Sequence, residues 1–167
     1  MRRYRRRCLP ALLLFILIAP APALATDTGA VSAARGECVS MTPAVQSMPQ
    51  RRVVIEGQRG LDVRIAARPR HRRAGMQHLC PATVATTAIL FLFDGPGRPG
   101  FHMRRVHAPL DIAFIGADGR VVSVHRMVVG MRGRVAPDDD VVAALEVAAG
   151  RDEALGLEEG VRLELPF

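Results

Sequence analysis

The sequence of 167 residues contains no tryptophan, and only one tyrosine and six phenylalanines. Proteins that bind single-stranded nucleic acid without sequence preference stack the bases on several aromatic side chains, so a surface of this kind is nearly excluded. Lysine is also absent, and all 23 basic side chains other than histidine are arginines. Guanidinium groups stay charged and bind carboxylate or phosphate through paired hydrogen bonds, although a GC-rich genome explains this arginine usage more simply than selection for anion binding does.

Acidic residues are missing from the N-terminus, where none precedes Asp27. Five arginines lie among the first seven residues, so much of the net charge of +7 is concentrated there. The other 18 arginines face 16 acidic residues, which leaves a net charge of +2. Such a weak positive charge attracts polyanions only slightly, and the sequence therefore predicts no nucleic-acid partner.

The apolar stretch near the N-terminus is too short to cross a membrane as a helix, which takes about 20 residues. It covers residues 9–19 and follows the arginine-rich start of the chain. Two prolines and the small-x-small sequence Ala-Leu-Ala at residues 23–25 come next. This order is typical of a secretory signal peptide. We therefore predict a signal peptide over residues 1–25, no membrane span after its removal, and a periplasmic or secreted protein; an uncleaved anchor is the alternative.

Cysteine is scarce, and one of the three cysteines, Cys8, lies within the predicted signal peptide. Cys38 and Cys80 remain, and an oxidising compartment favours pairing them. Closing a loop of about 40 residues would stabilise the fold by about 4 kcal/mol on the chain-entropy model. The sequence predicts a Cys38–Cys80 disulfide, with two separate thiols as the alternative.

Composition divides the exported part into a flexible tail at residues 26–50, rich in small residues and proline, and a folded domain at residues 51–167. Alternating and continuous apolar segments predict short strands, and an Asp118-Gly119 hairpin turn separates two of them. Pro69 begins a first short helix, and a second is predicted at residues 152–157. The fold class is α+β, mostly antiparallel and barrel-like, with two short helices. The predicted strands are 53–55, 61–66, 88–93, 101–106, 110–114, 121–124, 145–147 and 161–165.

Several segments occur in an order that is known from one protein family. They are Ile-Leu-Phe-Leu-Phe at 89–93, Phe-His-Met-Arg-Arg-Val at 101–106, Pro-Leu-Asp-Ile-Ala-Phe-Ile at 109–115, Leu-Glu-Val-Ala-Ala-Gly at 145–150 and Gly-Leu-Glu-Glu-Gly at 156–160. In these segments the chain resembles the DUF-192 family of domains of unknown function. The resemblance implies a compact, mostly antiparallel β domain with small helices, and it implies no chemistry.

The chain departs from the family pattern in its second segment. His102 stands where the family has tryptophan, Arg104 where it has lysine, and Arg105-Val106 where it has Asn-Thr. Whatever those polar groups do in relatives does not transfer to this sequence.

Two carboxyl groups lie within apolar strands. Asp111 is flanked by Leu110 and Ile112, and burying it without a partner would be very costly. We expect Asp111 to pair with an arginine, either Arg104 or Arg105, or with backbone N–H groups, and the favoured interpretation is a buried ion pair. A pocket carboxylate and an exposed edge position are the alternatives. For the second carboxyl, Glu146, an exposed strand position is the favoured interpretation.

No catalytic set can be assembled from motifs, so the sequence predicts a non-enzymatic binding or interaction module. Its candidate surface covers residues 102–111 together with the arginines around Arg72, which are Arg68, Arg70 and Arg73. It would bind an anionic ligand or an envelope protein. No cofactor and no metal site are predicted. One alternative is a hydrolase-like envelope enzyme using Asp111 with Glu146 or a histidine. Another is copper binding through methionine and histidine, by His102 with His107 or by His125 with Met127. A third is an envelope-assembly accessory. The candidate binding residues are His102, Met103, Arg104, Arg105, Asp111, Glu146 and Arg72.

Overall fold

A computed structural model of the protein describes residues 37–58 and 60–166. The predicted signal peptide lies outside these residues. Within them, four short helices and six strands follow one another along the chain. Their bounds are α1 Pro43–Gln46, β1 Gln50–Val53, β2 Leu61–Ala66, α2 Pro69–Ala74, α3 Pro81–Thr86, β3 Ile89–Gly97, β4 Leu110–Ile115, β5 Val121–Met127, β6 Val141–Ala148 and α4 Arg151–Ala154.

The first three helices each begin with a proline in their first turn. Proline has no N–H to donate and its fixed φ suits this position. At α1, the Val45 N–H also donates to the Thr42 hydroxyl at 3.3 Å, which satisfies one of the unpaired amides of the helix start. The prolines therefore account for where these helices begin.

The six strands form one sheet in the order β1-β2-β3-β6-β4-β5. Only β2 and β3 run parallel, while all other neighbours are antiparallel. The sheet is mixed and open, so the predicted α+β class is confirmed but the barrel-like part of the prediction is not. The β4–β5 turn follows the Asp118-Gly119 prediction, with Gly119 at a φ of 79° and the Asp118 carboxylate accepting from the Arg120 N–H at 3.0 Å.

Both faces of the sheet are covered. One face packs Phe91, Ile112 and Phe114 against α1, α2 and the segments at 76–79 and 101–106. On the opposite face, Leu90 of β3 and Leu145 of β6 pack against apolar side chains of β1 and β2 and against Leu163. Leu163 belongs to residues 161–166, which we call the C-terminal segment. Successive residues of a strand point to opposite faces, so a strand in the middle of this sheet is apolar on both sides. Strand β6 lies between β3 and β4 and is apolar on both sides except at Glu146.

Residues 37–50 pack on the domain instead of forming the predicted flexible tail. Val45 is fully buried there and Met48 is 3% exposed. The predicted Cys38–Cys80 disulfide is present, with the two Cα atoms 4.8 Å apart. The buried side chains and the cross-link explain why a stretch of low apolar periodicity is nevertheless ordered.

Two predicted strands are replaced by irregular chain. In the segment 101–106 only Phe101 makes a strand-like bridge, to Val135, and a turn follows. In the C-terminal segment the pairing is limited to isolated bridges at Arg162 and Leu163. Within residues 37–58 and 60–166, no helix is long and apolar enough to cross a membrane.

Candidate functional site

A cavity of about 600 Å³ opens on the face of the sheet that is covered by α2. Its floor is Glu146 of β6, and its walls include three phenylalanines of β3 and of the segment that follows it. Gly75 and Met76, just after α2, form another part of the wall, and arginines surround the opening. We call it the Glu146 cavity. Its phenylalanines are Phe91, Phe93 and Phe101, and its arginines are Arg72, Arg73, Arg104 and Arg134.

Glu146 is buried in the middle of the sheet, at 5% exposure. It lies opposite Ile89 of β3 on one side and Ile112 of β4 on the other. Its Oε2 atom has no hydrogen-bond partner among the described residues. Burial raises the pKa of the Glu146 carboxyl to about 8, because the charged form is disfavoured away from water. The predicted exposed position for Glu146 is wrong, since a central strand covered on both faces leaves no solvent-facing side.

The end of α2 leaves room above this carboxyl. Gly75 has a φ of 48° and a ψ of −139°, a conformation that side chains with a Cβ rarely adopt. A Cβ at this position would lie 3.6 Å from Glu146 Oε2 and 3.6 Å from the Phe91 ring. Glycine therefore allows the chain to turn here without filling the space next to the carboxyl.

His102 also lines this cavity and carries a buried polar atom without a partner in the described part of the chain. Its Nδ1 is buried and has no hydrogen-bond partner among the described residues. The neighbouring Phe101 fixes this part of the chain, because its ring packs edge-on against Phe91 at 5.0 Å and against Phe114 at 5.7 Å between centroids. The cavity thus has an aromatic wall, and two of its lining residues each carry a buried polar atom that lacks a partner among the described residues.

The four arginines at the opening differ in the hydrogen bonds and ion pairs that they form. Arg72 is held in place, since it donates to the carbonyl oxygens of Ala67 and Leu92 and pairs with Asp94 at 3.0 Å. Arg73, Arg104 and Arg134 make no ion pair with any of the described residues. These three guanidinium groups are available to an anionic group at the opening.

Asp111 lies on the opposite face of the sheet from Glu146. It pairs in register with Val147, whereas Glu146 pairs with Ile112, and adjacent positions alternate between faces. Asp111 is 1% exposed and does form the expected buried ion pair. The partner, however, is neither Arg104 nor Arg105, and that part of the expectation is wrong.

The partner of Asp111 is Arg126, directly opposite on β5. The guanidinium donates through Nε to Asp111 Oδ1 at 2.5 Å and through Nη2 to Oδ2 at 3.2 Å. The backbone N–H of Gly150 donates to Asp111 Oδ2 as well. The hydrogen bond to Asp111 raises the pKa of Arg126 above its usual value. Asp152 approaches the same guanidinium at 3.7 Å, and burial raises the pKa of its carboxyl.

The structure therefore brings together four of the predicted candidates at one cavity, namely Arg72, His102, Arg104 and Glu146. Met103 is buried in the core at 3% exposure, and Arg105 lines a neighbouring groove rather than the cavity. Gly75 and one arginine of the opening, Arg134, were not among the candidates, whereas Arg73 belongs to the arginines around Arg72 that were. The signal that indicated this part of the surface was the concentration of arginine and histidine side chains in residues 102–111.

No group of three or more His, Cys, Asp or Glu side chains suited to a metal ion occurs in residues 37–58 and 60–166. Of the suggested copper ligands, Met127 is fully buried. His125 makes a hydrogen bond with the Ser123 hydroxyl at 3.1 Å and packs on Phe114.

Comparison with known proteins gives a family and two similar structures. The model of the family DUF192, described as an uncharacterized ACR, matches residues 51–165. A protein from Sinorhizobium meliloti 1021, described as a "putative transcription regulator", has a similar structure, with 27% identity and a TM-score of 0.63 over 71% of this chain and 95% of that chain. A protein of unknown function from Novosphingobium aromaticivorans DSM 12444 shares the fold at 24% identity, with a TM-score of 0.62 over 80% of this chain and 94% of that chain. No curated protein matches the chain.

Proposed function

Because the chain belongs to the DUF192 family, whose function is unknown, its role has to be inferred from its own residues, and we propose that it is a binding module for a small organic anion. The observation that carries this proposal is that Glu146 Oε2 and His102 Nδ1 are both buried without partners among the described residues, and both residues line one cavity. Leaving a buried polar group unpaired costs about 1–3 kcal/mol. A ligand that pairs with both atoms recovers this cost, so the cavity favours an occupied state.

The lining predicts the chemistry of the ligand. The cavity volume of about 600 Å³ falls within the range of roughly 300–1,000 Å³ typical of small-molecule sites. A carboxyl group that is largely protonated at neutral pH donates a hydrogen bond, so Glu146 suits a carbonyl or hydroxyl oxygen of the ligand. The phenylalanines suit an apolar or ring-shaped body. The unpaired arginines at the opening suit a carboxylate, sulfate or phosphate group.

The arrangement supports binding over the enzyme that the sequence left open. An enzyme using Asp111 with Glu146 needs both carboxyl groups on one side of the sheet, and they lie on opposite faces. Asp111 is also engaged by Arg126 and by the Gly150 amide. A binding role requires only the groups that already line the cavity.

The proposal is tested by thermal-shift screening of the protein against organic carboxylates, sulfates and phosphates, followed by calorimetric titration of the hits. A ligand present at 100 times its Kd stabilises the folded state by about 2.7 kcal/mol, which corresponds to a rise of roughly 10 °C in Tm for a domain of this size. Glu146→Gln and Arg104→Gln should each weaken binding of the same ligand. The exposed Glu159→Gln serves as the matched control and should bind as the parent does. If no compound binds, or if Glu146→Gln and Arg104→Gln bind every hit as tightly as the parent, the cavity is not the site.

We further propose that the protein is exported and acts outside the cytosol. The signal-like N-terminus supports this, and so does the Cys38–Cys80 disulfide, because disulfides persist mainly in oxidising compartments. N-terminal sequencing of the protein recovered from its natural host should find the start near Thr26. Recovery of the uncleaved chain in the cytosolic fraction would contradict export.

A further inference from the structure

The loop between β5 and β6 exposes apolar side chains in an unusual concentration. Three of the five large apolar side chains that are exposed in the described residues lie within four consecutive positions, and they are Val128 at 54%, Val129 at 53% and Met131 at 37% exposure. We call residues 128–134 the apolar loop. Exposed apolar groups that cluster in this way indicate an interaction surface rather than chance exposure.

The ends of the apolar loop are fixed while its tip projects. Met127, at the end of β5, is fully buried. At the other end, Val135 and Phe101 exchange two backbone hydrogen bonds of 2.8 Å each. Between them, Gly130 and Gly133 have φ values of 81° and 90°, which turn the chain sharply. The exposed side chains are therefore presented on a short, anchored turn.

The apolar loop is bordered by arginines that form no ion pair with the described residues. A groove of about 690 Å³ separates it from the segment 102–106, and four arginines line this groove. None of the four forms an ion pair with any residue in the described part of the chain. The sequence contains no acidic residue between Asp94 and Asp111 or between Asp118 and Asp138. The four arginines are Arg104, Arg105, Arg132 and Arg134.

One of these arginines is held in a costly backbone conformation. Arg105 has a φ of 58°, in the left-handed region that residues other than glycine adopt only at a cost. Its carbonyl oxygen accepts a hydrogen bond from the His78 N–H at 2.7 Å, which maintains the turn. The fold thus fixes the backbone at Arg105 beside the groove.

We propose that the apolar loop docks on an anionic lipid bilayer. The apolar side chains enter the boundary between headgroups and acyl chains, and the four arginines contact lipid phosphates. A bilayer can accept both the apolar side chains and the arginines without presenting a surface of complementary shape. A protein partner would need a complementary surface of about 800 Å² per side, well beyond a seven-residue loop, so the bilayer is the occupant that the observations favour.

The absence of tryptophan from the sequence provides a site-specific test in the full-length chain. Val129→Trp places a single fluorophore on the loop, and Val54→Trp places one at another exposed valine, which is 42% exposed. On adding vesicles rich in phosphatidylglycerol, the indole emission of the Val129→Trp protein should shift to the blue and be quenched by brominated acyl chains. The Val54→Trp protein should show neither change, even where the N-terminal segment itself binds the vesicles.

Charge removal tests the electrostatic part of the proposal. Arg105→Gln and Arg132→Gln, each in the Val129→Trp background, should lower the apparent vesicle affinity about fivefold, since one arginine near an anionic surface contributes about a factor of five. Arg51→Gln, at an exposed arginine away from the groove, should change it little. Neither Arg105 nor Arg132 lines the Glu146 cavity, so binding of the small anion should persist in both variants, and the two proposals can fail separately.

Three outcomes would overturn the proposal. The first is an unchanged emission of the Val129→Trp protein with anionic vesicles. The second is an equal shift with vesicles of phosphatidylcholine alone, which would remove the role of the arginines. The third is a shift produced by soluble poly-glutamate and absent with vesicles, which would identify an acidic protein as the partner instead.

Discussion

Two buried carboxyl groups in this sheet avoid the cost of an isolated buried charge in different ways. Asp111 accepts hydrogen bonds from the Arg126 guanidinium and from the Gly150 amide. Glu146 has no such partner among the described residues, and burial raises its pKa to about 8, so it is mostly neutral at pH 7. The two residues lie on opposite faces of the sheet, and this difference in environment separates a structural carboxylate from a candidate binding group.

The shifted pKa of Glu146 predicts how stability depends on pH. In the unfolded chain this carboxyl loses its proton near pH 4.5, whereas in the folded protein it keeps it up to about pH 8. Between these values the folded state binds more protons, so this group lowers the free energy of unfolding as pH rises from about 4.5 to 8. Glu146→Gln has no carboxyl to titrate at this position, so its free energy of unfolding should not fall for this reason. The variant should therefore be more stable than the parent at pH 8.5.

The measurement is the free energy of unfolding from urea titrations at several pH values. Glu159→Gln is the control, because Glu159 is an exposed acid, and it should keep the slope of the parent. Parallel curves for the parent and Glu146→Gln over this pH range would show that the Glu146 carboxyl is not shifted upward.

Asp111→Ala removes the acceptor of three hydrogen bonds in a position that is 1% exposed. We expect it to lower the free energy of unfolding by about 2 kcal/mol, since a hydrogen bond to a charged group contributes about 1.5–3 kcal/mol and the Arg126 side chain left behind is half exposed. Asp62→Ala is the matched control, because Asp62 also pairs with an arginine across two strands but its side chain is 73% exposed. That variant should lose less than about 1 kcal/mol. Equal losses in the two variants would mean that the Asp111–Arg126 pair stabilises the fold no more than the exposed Arg52–Asp62 pair does.

Residue-level prediction from sequence succeeded where the chemistry was local. An aspartate between two large apolar residues had to be paired, and it is. The identity of its partner depends on strand register, because Asp111 faces Arg126 only when β4 and β5 pair as they do. The prediction for Glu146 failed for a related reason. Glu146 is buried because β6 lies in the middle of the sheet, and the sequence does not reveal that position.

At the scale of elements, the segment before α1 is attached to the end of α2 and the start of α3. The Val39 N–H donates to the His78 carbonyl at 2.8 Å, and the Cys80 N–H donates to the Val39 carbonyl at 2.9 Å. The disulfide lies beside these bonds and spans 42 residues of sequence. It therefore secures residues 37–50 to the domain.

Replacing both cysteines, as Cys38→Ser with Cys80→Ser, should lower the free energy of unfolding by about 4 kcal/mol, the entropy of closing a loop of this length. Thermal unfolding of the double variant measures the loss. The parent treated with reductant should fall to the same Tm, while the double variant should not respond to reductant. A double variant as stable as the oxidised parent would show that the native contacts of residues 37–50 do not need the cross-link.

The elements were predicted unevenly. Strands β2, β3 and β4 follow from clear alternating or continuous apolar patterns, and the α2 start follows from Pro69. The helices α1 and α3 have only four and six residues, too few for a helical period to emerge. The segment 101–106 has strand-like composition, but its side chains pack as a turn over the sheet, which is a tertiary effect.

At the scale of the whole molecule, the C-terminal segment connects two distant parts of the sheet. The Leu163 N–H donates to the Gly119 carbonyl at 2.8 Å, and the Glu164 N–H donates to the Val54 carbonyl at 2.9 Å. The Leu163 side chain is 1% exposed and belongs to the core on the Asp111 face. This segment links the end of β1 to the β4–β5 hairpin without being a strand.

Leu163→Ala should therefore lower the free energy of unfolding by about 3 kcal/mol, and ending the chain after Gly160 should lower it further by removing the backbone bonds as well. Chemical denaturation gives both values. Leu165→Ala, at a partly exposed position of the same segment, should cost clearly less than Leu163→Ala. A truncated chain as stable as the parent would show that the two parts of the sheet hold together without this connection.

The overall class was predictable because most neighbouring strands in sequence pair or nearly pair, and the order of motifs indicated the family. The strand order was not predictable, since β6 inserts between β3 and β4 and so separates strands that are consecutive in the chain. The cavity arises from this insertion, because it places Glu146 beneath α2.

The depth of Glu146 in the sheet has a consequence for how such a protein can diversify. Glu146 lies between β3 and β4 in a sheet that is packed on both faces, so a substitution that changes the size of its side chain disturbs folding as well as ligand binding. Three arginines of the opening come from a helix end and surface turns and make no ion pair with the described residues, so replacing them disturbs the sheet less. They are Arg73, Arg104 and Arg134. Relatives can thus change ligand specificity by replacing side chains around the opening of the Glu146 cavity while keeping the carboxyl at its floor. We expect sequence differences between relatives to be concentrated around the opening.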